Sequence, residues 1–177
     1  MAFHLAVPRP TPKIAVVIAT RNREAELANR ALRSVLAQTR TPDFLVVIDD
    51  SDRRHHDANR RIVDGVTAPP GRAMRVRYLR NDRTRGASGA WNVGLDWLHR
   101  QVDDCDGLMI AILDDDDSWE PDYLAACAAR AEESNLDMVA ADIIRHEGAS
   151  DPGRMQAAPD ELRVRDFLVD ESRNWSF

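Results

Sequence analysis

Four adjacent carboxylates end an apolar stretch in this chain. Leu108-Met109-Ile110-Ala111-Ile112-Leu113 runs into Asp114-Asp115-Asp116-Asp117, followed by Ser118-Trp119-Glu120-Pro121. Neighbouring carboxylates repel, and a divalent cation is the simplest compensation, because Mg²⁺ and Mn²⁺ prefer carboxylate oxygens. The same residues also suit a solvated turn that starts a helix at Pro121, with Asp117 or Ser118 as N-cap. Two further polar clusters follow apolar runs, at Thr20-Arg21-Asn22-Arg23 and at Asp49-Asp50-Ser51-Asp52. Arg83 and Arg85 stand just before Gly86-Ala87-Ser88-Gly89. Arginine suits phosphate by charge and by its planar fork, and a helix start adds backbone N–H groups.

These clusters need a scaffold that brings them together. Lys13–Ala19 is β-branched and apolar and reads as a central strand. Leu27, Ala31 and Val35, with Leu32 and Leu36, give the segment from Glu24 to Gln38 helical spacing. Phe44–Ile48 is a second buried strand, and Arg75–Leu79 alternates as a strand nearer the sheet edge would. Between them, a short helix is expected near Asp57–Asp64, with His55 and His56 as a solvated pair in a polar loop.

A helix opens at Gly86, with Trp91, Leu95 and Leu98 on one face, where Trp91 and Trp97 are expected to pack. The apolar run Leu108–Leu113 reads as a buried strand, Pro121 to about Ser134 as a helix, and Met138–Ile144 as a further strand. Strands alternating with helices indicate a mostly parallel α/β sheet with right-handed crossovers. Loops after parallel strands share one edge of the sheet, so the polar clusters are expected to converge.

Composition narrows the function classes. The chain has 177 residues, 44% apolar and 31% charged, with a net charge of −6. That disfavours general affinity for nucleic acid or anionic membrane. Cys105 and Cys127 lack metal or redox spacing, and Cys127 reads as a small core residue, so a reducing, cytoplasmic setting is expected. No apolar run reaches the about 20 residues that span a bilayer, and the first residues lack a signal-peptide pattern.

Five segments, in order and spacing, resemble family 2 glycosyltransferases of the GT-A fold. They are Val16–Arg23, Ser34-Val35-Leu36-Ala37-Gln38-Thr39, Val47–Ser51, the Gly86–Gly94 helix with Trp91-Asn92-Val93-Gly94, and Leu113–Pro121. The resemblance covers about residues 13–145 and implies a Rossmann-like three-layer α/β/α domain that binds a nucleoside diphosphate sugar. It implies that Asp50 accepts a hydrogen bond from the base, with uracil the leading candidate, since a carboxylate is an acceptor-only group.

By the same resemblance, Thr20 lines the nucleoside pocket, and Asn22, Arg23 and Asn92 belong to the nucleotide-sugar site; Arg85, with Arg83 beside it, is expected to contact the diphosphate. Asp114 and Asp116 match the family's Asp-x-Asp motif, with Asp116 as direct ligand of Mn²⁺ or Mg²⁺. Asp115 is either the variable middle residue or a ribose contact. Trp91 stands where the family usually has arginine, and Arg21 where it commonly has tyrosine.

Residues 1–12 are then an extended lead-in, 13–145 the donor-binding core, and 146–177 the start of an acceptor-side region that is cut short. The carboxylate that activates the acceptor hydroxyl in inverting transfer is expected beyond residue 177, since Asp166, Asp170 and Glu171 fall too early. The ending at Trp175-Ser176-Phe177 leaves room for self-association through apolar surface. Two other readings stay open: a non-catalytic nucleotide-binding or interaction module, and a sugar-phosphate nucleotidyltransferase. The latter is disfavoured because no glycine follows the first strand. The acceptor and the sugar are not legible.

Overall fold

In a computed structural model of the chain, the described residues are 11–103, 107–134, 136–145 and 154–156. Cys105, His146, the acidic residues 166, 170 and 171, and the terminal aromatic pair lie outside them. The chain divides into two compact units, Met1–Ala128 and Ala129–Phe177.

The first unit holds a four-stranded parallel sheet in the order β3-β2-β1-β4, built from β1 (Lys13–Thr20), β2 (Phe44–Asp49), β3 (Arg75–Arg80) and β4 (Leu108–Asp114). β1 and β2 are the central strands. Every residue of β2 is buried, as are Ile14–Ile18 of β1. Helices cover both faces, which is why these strands are continuous apolar runs rather than alternating ones. β3 lies at the edge, as its alternation indicates.

One face of the sheet packs Ile14, Val16 and Ile18 against Leu27, Ala31, Leu32 and Val35, with Val63 and Leu124 in the same cluster. These come from three helical segments. The first runs continuously through α1 (Glu24–Glu26), a π-helical turn (Leu27–Ala31) and α2 (Leu32–Leu36); the others are α3 (Arg53–Asp64) and α5 (Tyr123–Ser134). The other face packs Ala15, Val17, Val46 and Ile48 against Ala90 and Leu98 of α4 (Ala87–Gln101), with Trp91 and Trp97 alongside. Gly94 sets the approach of α4: a Cβ there would lie 2.8 Å from Ile48 Cδ1 and 3.0 Å from Val17 Cγ1.

Four sequence expectations are corrected. Among the described residues β4 pairs with β1 alone and is not fully buried: Ile110 and Ile112 are 43% and 40% exposed, and only Leu113 is buried. An apolar run does not distinguish a strand covered on both faces from one covered on one. α3 begins at Arg53, so His55 and His56 lie in its first turn; His55 pairs with Glu24 and His56 Nε2 donates to Ser51 O at 3.0 Å. α5 begins at Tyr123, two residues after Pro121. In the second unit, the strand expected over Met138–Ile144 is only β5 (Ile143–Arg145), paired antiparallel with β6 (Arg154–Gln156). Among the described residues no helix is long and apolar enough to cross a membrane.

Candidate donor-binding site

The order β3-β2-β1-β4 reverses direction between β1 and β4, so the crevice at the strands' carboxyl ends opens there. A cleft of about 370 Å³ lies there, lined by Ala19–Arg23, Asp50, Gly86-Ala87 and Asp114–Asp116. A second cleft of about 660 Å³ is lined by Arg83–Gly89 and Asn92 and shares Gly86 and Ala87 with the first. Every residue expected from sequence to bind the nucleotide-sugar or the metal therefore lines one or other of two adjoining clefts.

Asp50 leaves the end of β2 toward the start of α4. Its Oδ1 accepts from Asn81 Nδ2 at 2.7 Å and its Oδ2 from the Gly86 amide at 2.9 Å. Gly86 has φ +118°, a conformation open to glycine, so the carboxylate fixes the turn that begins α4. Each oxygen keeps a further lone pair for a ligand. The preceding Asp49 points the other way: it is 1% exposed and accepts from Tyr78 Oη at 2.6 Å and from the Ser51 amide at 2.9 Å. Burial, then the bond to Asp49, raises the Tyr78 phenol above its ordinary range, so it stays a donor.

Asn22, at φ +57°, ties the loop after β1 to the loop after β2. Its amide N–H donates to Ser51 Oγ at 2.8 Å, and its side chain exchanges hydrogen bonds with Asp52, at 3.1 and 2.9 Å. Arg85 pairs with Asp52, and this contact holds the Asp52 carboxyl below its usual range. Arg83 pairs with Asp96. Asn92 is exposed on the first turns of α4.

The four aspartates divide by environment. Asp115 is buried, and its Oδ2 accepts from Thr20 Oγ1 at 2.8 Å and the Arg21 amide at 3.1 Å, while Oδ1 accepts from Arg23 at 3.2 Å. It staples the loop after β1 to the turn after β4. Arg23 also pairs with Asp116, which keeps its guanidinium firmly charged, and Arg30 Nη1 donates to Asp116 O at 2.6 Å.

Asp114, Asp116 and Asp117 bring carboxylate oxygens within 4.8 Å of one another. Burial, with Asp117, Asp116 and Asp115 adding repulsion, pushes Asp114 up to about 6. Three hard oxygen donors so close together, with Arg23 as the cationic partner of Asp116, fit Mn²⁺ or Mg²⁺. Sequence reasoning named Asp114 and Asp116 as metal ligands, and the geometry places the Asp117 carboxylate beside them. Sequence reasoning missed the inward turn of Asp115, whose partner Thr20 is 95 residues away.

Comparison with known proteins agrees with this architecture. Residues 15–176 match the model of glycosyl transferase family 2. The succinoglycan biosynthesis protein ExoO of Rhizobium meliloti (strain 1021) is 34% identical over 138 residues, covering 74% of this chain and 35% of that protein. ExoW, a succinoglycan biosynthesis protein of the same strain, is 34% identical over 113 residues, 63% of this chain and 32% of its own. The chain thus spans about a third of the length of these relatives. Among solved structures, S. aureus TarS superposes with a TM-score of 0.51 at 19% identity, over 84% of this chain and 23% of that one, a likeness of fold. With a parallel sheet of GT-A type, clefts at its carboxyl edge and a family match over nearly its whole length, the chain belongs to glycosyl transferase family 2.

Proposed function

We propose that this chain is the donor-binding part of an inverting, metal-dependent glycosyltransferase that uses a nucleoside diphosphate sugar, with UDP as carrier. The observation that carries the reading is the meeting of Thr20, Asp50 and Asp114–Asp116 in one cleft at the carboxyl edge of the sheet. In this reading Asp50 and Thr20 hold the nucleoside. Asp114, Asp116 and Asp117 hold Mn²⁺ or Mg²⁺, and Arg83 and Arg85 face the diphosphate from the adjoining cleft. A cation bound there supplies charge neutralisation for the departing nucleoside diphosphate.

Asp115 and Asn22 act by position, since their polar atoms are engaged in joining the loops around the cleft. The acceptor's general base belongs to a region beyond residue 177. ExoO and ExoW are named for succinoglycan biosynthesis, which supports a carbohydrate acceptor.

Calorimetric titration of UDP, TDP and GDP, each with and without Mn²⁺, tests the reading alongside Asp116→Ala. The expected result is Mn²⁺-dependent binding of UDP that Asp116→Ala abolishes. A folded protein that binds none of the three overturns it and leaves a non-catalytic interaction module.

A further inference from the structure

The segment Ser34–Thr39 lies outside both clefts, yet it bonds the stretch that joins the acidic turn to α5. Gln38 is 3% exposed, and each of its polar atoms is engaged. Nε2 donates to Ser34 O at 3.1 Å and to Glu120 O at 2.7 Å, and Oε1 accepts from the Leu124 amide at 2.9 Å. The neighbouring Thr39 amide donates to Pro121 O at 2.7 Å. The connection from Asp114 to α5 therefore has three of its backbone groups, at 120, 121 and 124, bonded to two consecutive residues.

Those two residues stand on a fixed base. The helix before them is buried at Leu27, Ala31, Leu32 and Val35. Arg72 Nη1 donates to Thr39 O at 2.8 Å and to Thr41 Oγ1 at 2.8 Å, closing off the helix end. β4 is an edge strand paired to β1 among the described residues, so it steadies the acidic turn from one end and one side. The other end is held by Gln38 and Thr39, while Asp115 and the Arg30 bond to Asp116 O hold the middle of the turn. Burying an amide side chain is favourable only when its bonds are made, so this position demands a group with two donors and one acceptor at that reach.

We propose that Gln38 is a positioning residue for the cation-binding carboxylates: it fixes the far end of the Asp114–Leu124 connection and so sets the separation of Asp114, Asp116 and Asp117. The inference rests on the donor-site reading above, and it adds a residue that touches neither nucleotide nor metal. Asp50 and Thr20 are held by other contacts, so the nucleoside side is independent of Gln38.

The test is calorimetric titration of Mn²⁺ into the 177-residue chain, comparing wild type with Gln38→Met and with Val46→Ala, a core change on the opposite face of the sheet. Melting temperatures identify the general stability loss of each variant. Gln38→Met is expected to weaken Mn²⁺ binding about tenfold, as loss of an outer support of a metal site does. Val46→Ala is expected to leave Mn²⁺ binding as it is.

If Gln38→Met does not fold, Gln38→Glu carries the test. It keeps the acceptor for Leu124 and loses both donor bonds, and its added charge favours the cation, so weaker binding supports the inference. Unchanged Mn²⁺ affinity in the Gln38 variant, or an equal loss in Val46→Ala, overturns this inference alone. A wild-type chain that binds no Mn²⁺ overturns the donor-site reading and this inference with it.

Discussion

The ends of β2 and β4 bring carboxylates to the same edge of the same sheet, and the two solve the problem of negative charge differently. β2 runs between two partners, and its terminal carboxylates accept from neutral groups: Ser51 N–H, Tyr78 O–H, Asn81 and the Gly86 N–H. Among the described residues β4 sits at the edge, and its acidic turn leans on Arg23 while Asp114 stays under repulsion. A region complete in its own hydrogen bonds shapes a pocket. A region with surplus charge of one sign, on the reading proposed above, recruits an ion. Stability experiments on the two ends break or sharpen that contrast.

The largest effect is expected from Asp115→Ala, the one aspartate of the turn that behaves like the β2 end. The change strands Thr20 Oγ1 and the Arg21 amide, at a cost of about 2–4 kcal/mol in urea unfolding. The exposed Arg23 adds little, because half-solvated ion pairs are screened. Asp116→Ala, on the exposed side of the same turn, is expected to leave the unfolding midpoint nearly unchanged. Equal losses in the two variants would erase the division of roles within the turn.

Gly94→Val comes next, at about 1–3 kcal/mol by the same assay, because its side chain drives into Ile48 and Val17 beneath the β2 end. Tyr78→Phe follows, at about 1–1.5 kcal/mol, for one bond to the buried Asp49.

The smallest effect is one of pH. Asp114 binds its proton more tightly in the folded chain than in the unfolded one, where 3.8 is the ordinary value. The folded state thus holds more protons between roughly pH 4 and 6, and this contribution is complete below the unfolded value and lost as pH rises through about 6. Asp114→Asn is expected to flatten that decline in melting temperature and to melt above wild type at pH 7 without metal. A parallel pH profile for the two proteins would show that neither burial nor repulsion holds the Asp114 proton.

The strands and helices of the first unit were legible because their periodicity is local. β1 and β2 carry the unbroken apolar runs that coverage on two faces requires, and helix 24–36 carries its stripe at Leu27, Ala31 and Val35. The site was legible as far as its loops follow strands in a parallel sheet. The rest depended on contacts without local trace. Four identical aspartates carry no mark of which one turns inward, since Thr20 decides that from another loop. The edge position of β4 among the described strands is a matter of strand order, which an apolar run does not encode. His55 and His56 look like loop residues because α3 carries few apolar side chains, its buried residues being Asn59 and Val63.

Ser51 has a consequence for how the chain finds its alignment. β2 is apolar at five successive positions and then repeats aspartate, so a shift by one residue would put side chains of much the same kind on each face. The strand is nearly indifferent to its own misalignment. Ser51 is not: its Oγ accepts from the Asn22 amide at 2.8 Å and from the buried Asn59 at 3.1 Å, and neither donor finds it after a one-residue slip. The polar contacts behind the cleft thus serve as the index mark by which a featureless strand is threaded, and a chain whose pocket is correctly assembled is a chain whose sheet has been correctly read.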